Sequence, residues 1–429
     1  MKHKLYRKIT TLALIIAGST TLQAQQTKQV ALPAKAIHNL PFQSYEAFRK
    51  SIKPLIAEMG TKSIVGLGEG THGTAEFYKL RYWITRILVE EKGFNHVAFE
   101  NDYSDGFLLN RELDTTTNLN ALMQKRLLSI WQNEETKELL TWIRSYNKNH
   151  KQQVTVDGLD YVFLTPDVEL LKSELANHID PTLANMLDLL QQAAIFQDGE
   201  WHGMNIKGFK SKWNELLKSS KRGYTVADSL ENKLKDMSLP AGQKSAILLA
   251  ALNLKQGFAP FNPAAGEASR DSLMAQNAGK ILQQAGSKMV IWAHEAHLAK
   301  TAIYNNAVGG TGGYLLKHFP GNYYVIGTGT ATGTFAATTE PRDTYTNPMA
   351  PYSLKSPVKD SWEEQLNTAK APAYYFFPKI LNASGSKKKM RFIGYSPEIG
   401  PKVYDTTNIS DLFDAFIFIK ETHAATPLK

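Results

Sequence analysis

The sequence contains no cysteine. That excludes disulfides, a thiol nucleophile and any thiolate metal site, and it leaves packing to supply stability. Two catalytic signatures are absent as well: no Gly-x-Ser-x-Gly nucleophile elbow occurs, and no His-Glu-x-x-His zinc motif. Long uncharged apolar runs are scarce. Leu12–Gly18 (LALIIAG) is the clearest one, and it is too short to span a bilayer. A basic stripe is missing too. Lysines and arginines are scattered among acids, except for Lys387-Lys388-Lys389 in an expected loop. A nucleic-acid partner is therefore not expected.

The first 24 residues read as a secretory signal. Lys2, Lys4, Arg7 and Lys8 form the positive region, Leu12–Gly18 the apolar core, and Leu22-Gln23-Ala24 the small-residue cleavage point. Removing those four positives from the net +9 leaves +5, a mild excess. The expected product is an exported protein, periplasmic or secreted, with no stable membrane span. Its length of 429 residues fits one large domain carrying an insertion, and no pattern specifies an oligomeric state.

The expected domain covers 25–420. It opens with an extended leader, Gln25 to Phe42, and closes on a frayed tail, 421–429. Short apolar strands are predicted at Ser63–Leu67, Val97–Phe99, Val154–Val156, Lys288–Ala293, Tyr323–Gly327, Arg391–Gly394 and Ala415–Ile419. Amphipathic helices alternate with the early ones, notably Ala75–Glu91, which Gly93 stops. This alternation predicts an α/β fold with a mostly parallel central sheet flanked by helices. Residues 165–257 read as helices without a strand, a helical insertion covering the carboxyl edge of the sheet. Thr330–Pro357, rich in Thr, Pro, Ala and Gly, reads as a long irregular loop.

The distinctive polar residues follow strands. Glu69, Thr71 and His72 follow the first, in the segment GEGTHGTAEFYKLR. Glu100 closes the second (VAFEND), and Asp160 the third (GLD). His294 and His297 follow a later strand in WAHEAH. The carboxyl edge of an open parallel sheet is where ligands bind, because loops converge there on a rigid frame. Each residue also has a plainer reading. Glu69 and Thr71 would serve to cap the next helix, Asp271 to cap the helix after Arg270, and Arg81 to be a solvated arginine. A zinc site built on His72, His294 and His297 is a minority option. With neither serine elbow nor cysteine, a hydrolase of this composition would use water as nucleophile. It would then need a histidine base, a carboxylate to orient it, and cationic or second-histidine groups for the oxyanion. Glu69, His72, Arg81, Glu100, Arg270 and His294 supply those parts.

Taken together, GEGTHGTAEFYKLR, VAFEND, GLD, RDSLMAQN and WAHEAH resemble the erythromycin esterase family, over roughly Leu40 to Lys420. The resemblance implies an α/β core with a helical insertion, and hydrolysis of a macrolide lactone by activated water without a cofactor or metal. It makes His72 the general base, with Glu69 and Glu100 as its carboxylates. Arg81, Arg270 and His294 become groups that position the ester and stabilise the oxyanion. His297, Asp160 and Thr71 are expected to bind substrate, a small-molecule ester. Glu295 stands where the family has Asn and is expected to add a charge near the site, and Gly309–Leu315 loosely matches a family loop. The alternatives are an esterase of this fold acting on another natural-product ester, and a non-catalytic periplasmic binding protein for haem, metal or a bulky ligand.

Overall fold

The computed structural model describes residues 32–428 apart from 205–207, 263–264, 266–268, 284, 302, 304–309, 341–346, 385–386 and 398. The expected signal segment lies outside the described residues. Eleven strands occur among them: β1 (His38–Asn39), β2 (Ile64–Glu69), β3 (His96–Asp102), β4 (Thr155–Asp160), β5 (Met289–His294), β6 (Tyr323–Ala337), β7 (Ala350–Ser353), β8 (Ala373–Phe376), β9 (Lys388–Arg391), β10 (Tyr404–Thr407) and β11 (Ala415–Thr422). Nine form one sheet in the order β1-β8-β11-β6-β2-β5-β3-β4, with β7 on β6, while β9 and β10 pair separately. From β11 across to β4 every pairing is parallel. Six carboxyl ends therefore point to one edge. The expected α/β class and its mostly parallel sheet are what the chain adopts.

Strands β2 and β5 are buried at every residue. That burial explains why they read as continuous apolar runs instead of alternating ones. The helix Ala75–Lys92 presents Phe77, Leu80, Ile84, Ile87 and Leu88 to a core shared with Val65, Leu67, Val97, Phe99, Val290 and Trp292. It ends at Gly93, whose φ of 71° is the left-handed cap that glycine adopts without strain. No helix among the described residues is long and apolar enough to cross a membrane.

The insertion comprises the helices Thr165–Glu174, Pro181–Met204, Trp213–Asp236 and Ala241–Phe258. Leu171, Leu187, Leu190, Leu230, Ile247, Leu254 and Phe258 give it a core of its own. Asp198, from the second helix, accepts from the N–H groups of Leu164 (3.0 Å) and Thr165 (2.9 Å), satisfying the first helix's free donors. Insertion residues Gln197, Asp198, Trp201 and Gly257 line a cavity of about 360 Å³ together with Asp160, Tyr161 and Val162 at the end of β4. The insertion thus covers the carboxyl edge at that strand.

Two expectations are corrected. Part of the supposed loop at 330–357 is sheet, since β6 runs to Ala337 against β11 and pairs with β7, while 341–346 lie outside the described residues. Its alternating threonines, Thr330, Thr332 and Thr334, suit a pleated strand, and Pro351 is tolerated in the off-path strand β7. The tail is not frayed, because His423 to Leu428 dock through backbone bonds to Ala75, Gly73, Glu134 and Gln132. Of the expected extended leader, 25–31 lie outside the described residues, and the rest contributes strand β1, paired with β8.

Candidate active site

Strand ends fix four of the key side chains. Glu69, His294 and Asp160 are the last residues of β2, β5 and β4, Glu100 lies near the end of β3, and Glu69 stands opposite His294 in the β2–β5 register. His72 follows on the loop Gly70–Thr74, which backbone bonds hold from several sides. Ile393 donates to the Gly70 carbonyl (2.8 Å) and accepts from His72 N–H (3.0 Å), while Ala336 and Ala425 both donate to the Gly73 carbonyl at 2.8 Å. Gly73 is required twice over: its φ is 69°, and a Cβ there would lie 1.9 Å from the Ala336 oxygen.

His72 Nδ1 lies 2.7 Å from Glu69 Oε1, and Arg81 Nη2 donates to Glu69 Oε2 at 2.9 Å. Both Glu69 and Arg81 are buried. An ionised Glu69 held by Arg81 is acceptor-only, so the imidazole proton belongs on Nδ1 and the lone pair on Nε2. Nε2 has no hydrogen-bond partner among the described residues. The guanidinium of Arg81 rests on three rings, with centroids 4.7 Å (Tyr78), 5.2 Å (Trp131) and 4.8 Å (Trp292) away. Two sequence expectations change here. Arg81 is neither solvated nor placed to touch an ester; it sits behind Glu69. Nor does Glu69 cap the following helix, whose first turn has no side-chain cap at Thr74.

The ring of His294 lies 4.8 Å from that of His72. Its Nδ1 accepts from Ala296 N–H (3.2 Å), which leaves the proton on Nε2 to be donated to the Ile393 carbonyl at 3.2 Å. Burial and the neighbouring His72 push its pKa well below the ordinary imidazole value, against the pull of Glu100. His294 is thus neutral, and its N–H is already used. As placed, it orders the site and is not a free oxyanion donor.

Glu100 forms the second half. It accepts from His294 N–H at 3.0 Å and from Arg270 Nη2 at 3.2 Å, and it lies 3.3 Å from His297 Nε2. Burial opposes ionisation of Glu100, but His297 and Arg270 outweigh it and hold the carboxyl well below its usual range. Arg270 Nε also donates to Asp160 Oδ1 (2.9 Å), so buried Asp160 braces the arginine. His297 Nδ1 is 2.7 Å from Asp271 Oδ1. Burial would depress the His297 pKa, yet Glu100 and Asp271 raise it to about 9. At neutral pH this imidazole is a cation.

The six proposed catalytic residues are therefore brought into one connected cluster, with His297 and Asp160. Thr71 is buried and bridged to Ile393, inside the loop instead of at a substrate surface. Glu295 lies beneath the site instead of charging its surface. Burial pushes its carboxyl well above the usual range, and it packs under Gly68 and Gly70, bonded to the Thr328 N–H. Asp271 is not a cap, since Ser269 fills that role, accepting from Ser272 N–H. Asp271, Ile393 and Trp131, whose Nε1 donates to the Glu100 carbonyl at 3.0 Å, were missed as site residues. Asp271 had a signal, its place beside Arg270; Ile393 acts through backbone and had none. Among the described residues no group of three or more His, Asp or Glu is placed to hold a metal ion.

Comparison with known proteins bears on the family and the fold. The family profile described as erythromycin esterase matches residues 89–422, which include Glu100, Asp160, Arg270, His294 and His297 but begin after Glu69 and His72. The Escherichia coli erythromycin esterase type II is 32% identical over 133 residues, 31% of this chain and 30% of that protein. The type I enzyme from the same organism is 25% identical, over 56% of this chain and 63% of its own length. A putative hydrolase of Bacillus subtilis, YbfO, is 22% identical over 79% of both chains. The match thus spans less than two thirds of either erythromycin esterase. Among solved structures, a succinoglycan biosynthesis protein superposes with a TM-score of 0.74 at 20% identity, covering 92% of this chain and 97% of that one. A His-to-Asn variant of the erythromycin esterase EreC, in its open conformation, gives 0.63 at 18% identity, covering 88% and 95%. At such identities the structures speak for the fold alone.

Proposed function

The chain belongs to the erythromycin esterase family, which supports a hydrolase, and we propose that it opens the lactone ester of 14-membered, erythromycin-type macrolides with a water activated by His72. The observation that carries this reading is the chain Arg81–Glu69–His72, which ends on an unpaired Nε2 beside His294. In the proposed reaction Nε2 takes a proton from water as the oxygen adds to the ester carbonyl. His297 and Arg270 supply positive charge for the oxyanion. Collapse breaks the carbon–oxygen bond of the ester, and the departing alkoxide takes the proton back from His72. The products are a carboxylic acid and an alcohol, and for a macrolide the ring opens and the antibiotic is inactivated.

The cavity beside Asp160 and Arg270 favours a second reading of the same chemistry. At about 360 Å³ it lies near the lower end of the roughly 300–1,000 Å³ used for drug-sized ligands. Its lining meets the cluster at Asp160 and Arg270 and does not include His72, so it would seat one portion of an ester, and that volume suits a smaller natural-product ester better than a glycosylated macrolide. A macrolide panel with product masses decides: a gain of one water on erythromycin-type lactones supports the first reading, and intact macrolides remove it. The mechanism uses no metal, so turnover should survive chelation; loss restored by zinc would favour the metal alternative. The apolar leader supports export, testable by finding the mature N-terminus at Gln25.

A further inference from the structure

Resting on the ester-hydrolase reading, we propose that Asp271 is a positioning residue that fixes His297 as a cation against Glu100, at the point where negative charge develops on the reacting ester. The argument begins with valence. His297 has a carboxylate at each ring nitrogen: Asp271 Oδ1 at 2.7 Å from Nδ1, and Glu100 Oε1 at 3.3 Å from Nε2. With Nδ1–H given to Asp271, a neutral imidazole would set its Nε2 lone pair against the Glu100 oxygen, whereas the doubly protonated ring sets a proton there; Arg270 Nη1, 3.4 Å from the same nitrogen, is the one contact that favours the lone pair. Asp271 is free for this task because Ser269 already caps its helix. The same Oδ1 accepts from Thr311 N–H and Oγ1, both at 2.9 Å, which fastens the first turn of the helix Thr311–His318 to the site.

The groups around His297 agree on the sign. Glu100 on β3 and Asp271 favour its charge. Arg270 Nη1, 3.4 Å away, opposes it, but Arg270 is itself paired with Asp160 on β4. His294 on β5 is neutral. Glu100 also accepts from the His294 N–H, so the charge on His297 offsets the carboxylate that borders His294. Without Asp271, His297 would keep a single anionic partner and would lose its proton at lower pH.

The test combines histidine-selective NMR with pH–rate profiles for wild type and Asp271→Asn. The His297 ring in the wild type is expected to stay protonated through neutral pH and to titrate near 9. In Asp271→Asn the titration should fall by about 1–2 pH units. The alkaline limb of kcat/KM should move down with it, and kcat should lose more than KM changes. A purely structural role would lower stability without moving that limb. Wild-type His297 titrating at or below about 6.5, or unchanged in the variant, would overturn the proposal. If Asp271→Asn does not fold, the wild-type titration alone decides. Should His297 behave as described while no ester is turned over, the placement of charge stands and the esterase reading is what fails.

Discussion

Replacing Glu69 with Gln removes one charge and almost no volume, yet the geometry predicts a severe effect. Arg81 Nη2 is a cation 2.9 Å from Oε2, and both side chains are buried. The introduced amide must turn its oxygen toward that donor, because an N–H there would face another N–H. Its NH₂ then faces His72 Nδ1, which is forced to accept. The imidazole proton moves to Nε2, and the lone pair needed to deprotonate water is lost. A wrong-tautomer imidazole in a histidine–carboxylate pair costs about 10⁴ in kcat, or about 5.5 kcal/mol of barrier. The fold should survive. Stripping a buried ion pair of one partner costs about 3–5 kcal/mol, and here the loss is smaller, because the amide oxygen still accepts and three aromatic faces still hold the guanidinium. A rescue follows: in Glu69→Gln/Arg81→Met the amide is free to flip, its oxygen returns to His72, and kcat should exceed that of the single variant by about tenfold or more. Lactone opening followed by mass, with ¹⁵N shifts reporting the His72 tautomer, tests both steps. A single variant within tenfold of wild type, or one that keeps the Nδ1–H tautomer, would refute the reasoning.

His72→Ala should keep the wild-type melting temperature within a few degrees and lose about 10²–10⁴ in kcat; wild-type turnover would dismiss it as the base. Gly73→Ala should destabilise by about 2 kcal/mol or more, because it combines a positive φ with a Cβ driven into the Ala336 carbonyl; chemical denaturation measures it, and an unchanged midpoint would contradict the crowding. Glu295→Gln should be tolerated near pH 5 and become relatively stabilising near pH 8. The folded state holds this proton more tightly than the unfolded chain, whose Glu titrates near 4.3, so wild-type stability falls as pH rises above that value, and Gln removes the fall. Equal effects at the two pH values would mean that the carboxyl is not held neutral.

What the sequence made legible was whatever depends on local pattern. The apolar runs before Glu69, Glu100, Asp160 and His294 identify parallel strands, and parallel strands put their ends on one edge. The helical insertion followed from a long stretch of helical spacing. Other features depend on partners far along the chain. Thr330–Ala337 looks irregular until β11 and β7 are there to pair with it. The tail looks loose because its anchors, Gly73 and Gln132, are hundreds of residues away. Arg81 was expected at the site, but its place behind Glu69 instead of against an ester was not legible, because only the meeting of Tyr78, Trp131 and Trp292 around it makes that burial tolerable. Glu295 was read as a charge because sequence gives the residue type but not its protonation, which burial decided.

Backbone groups, more than side chains, join the two halves of the cluster. The Ile393 carbonyl accepts from both the His72 N–H and His294 Nε2, and the His294 N–H rests on Glu100. A peptide carbonyl or N–H does not titrate near neutral pH, so these links persist while His72 gains and loses a proton. The titrating groups are divided accordingly. Glu69 and Arg81 set the state of His72 from one side, and Asp271 and Glu100 set that of His297 from the other. Neutral His294 lies between them and separates the base from the cation. If His294 carried a charge, it would repel His72 as the latter accepted a proton, so its burial lowers the cost of the step proposed for its neighbour.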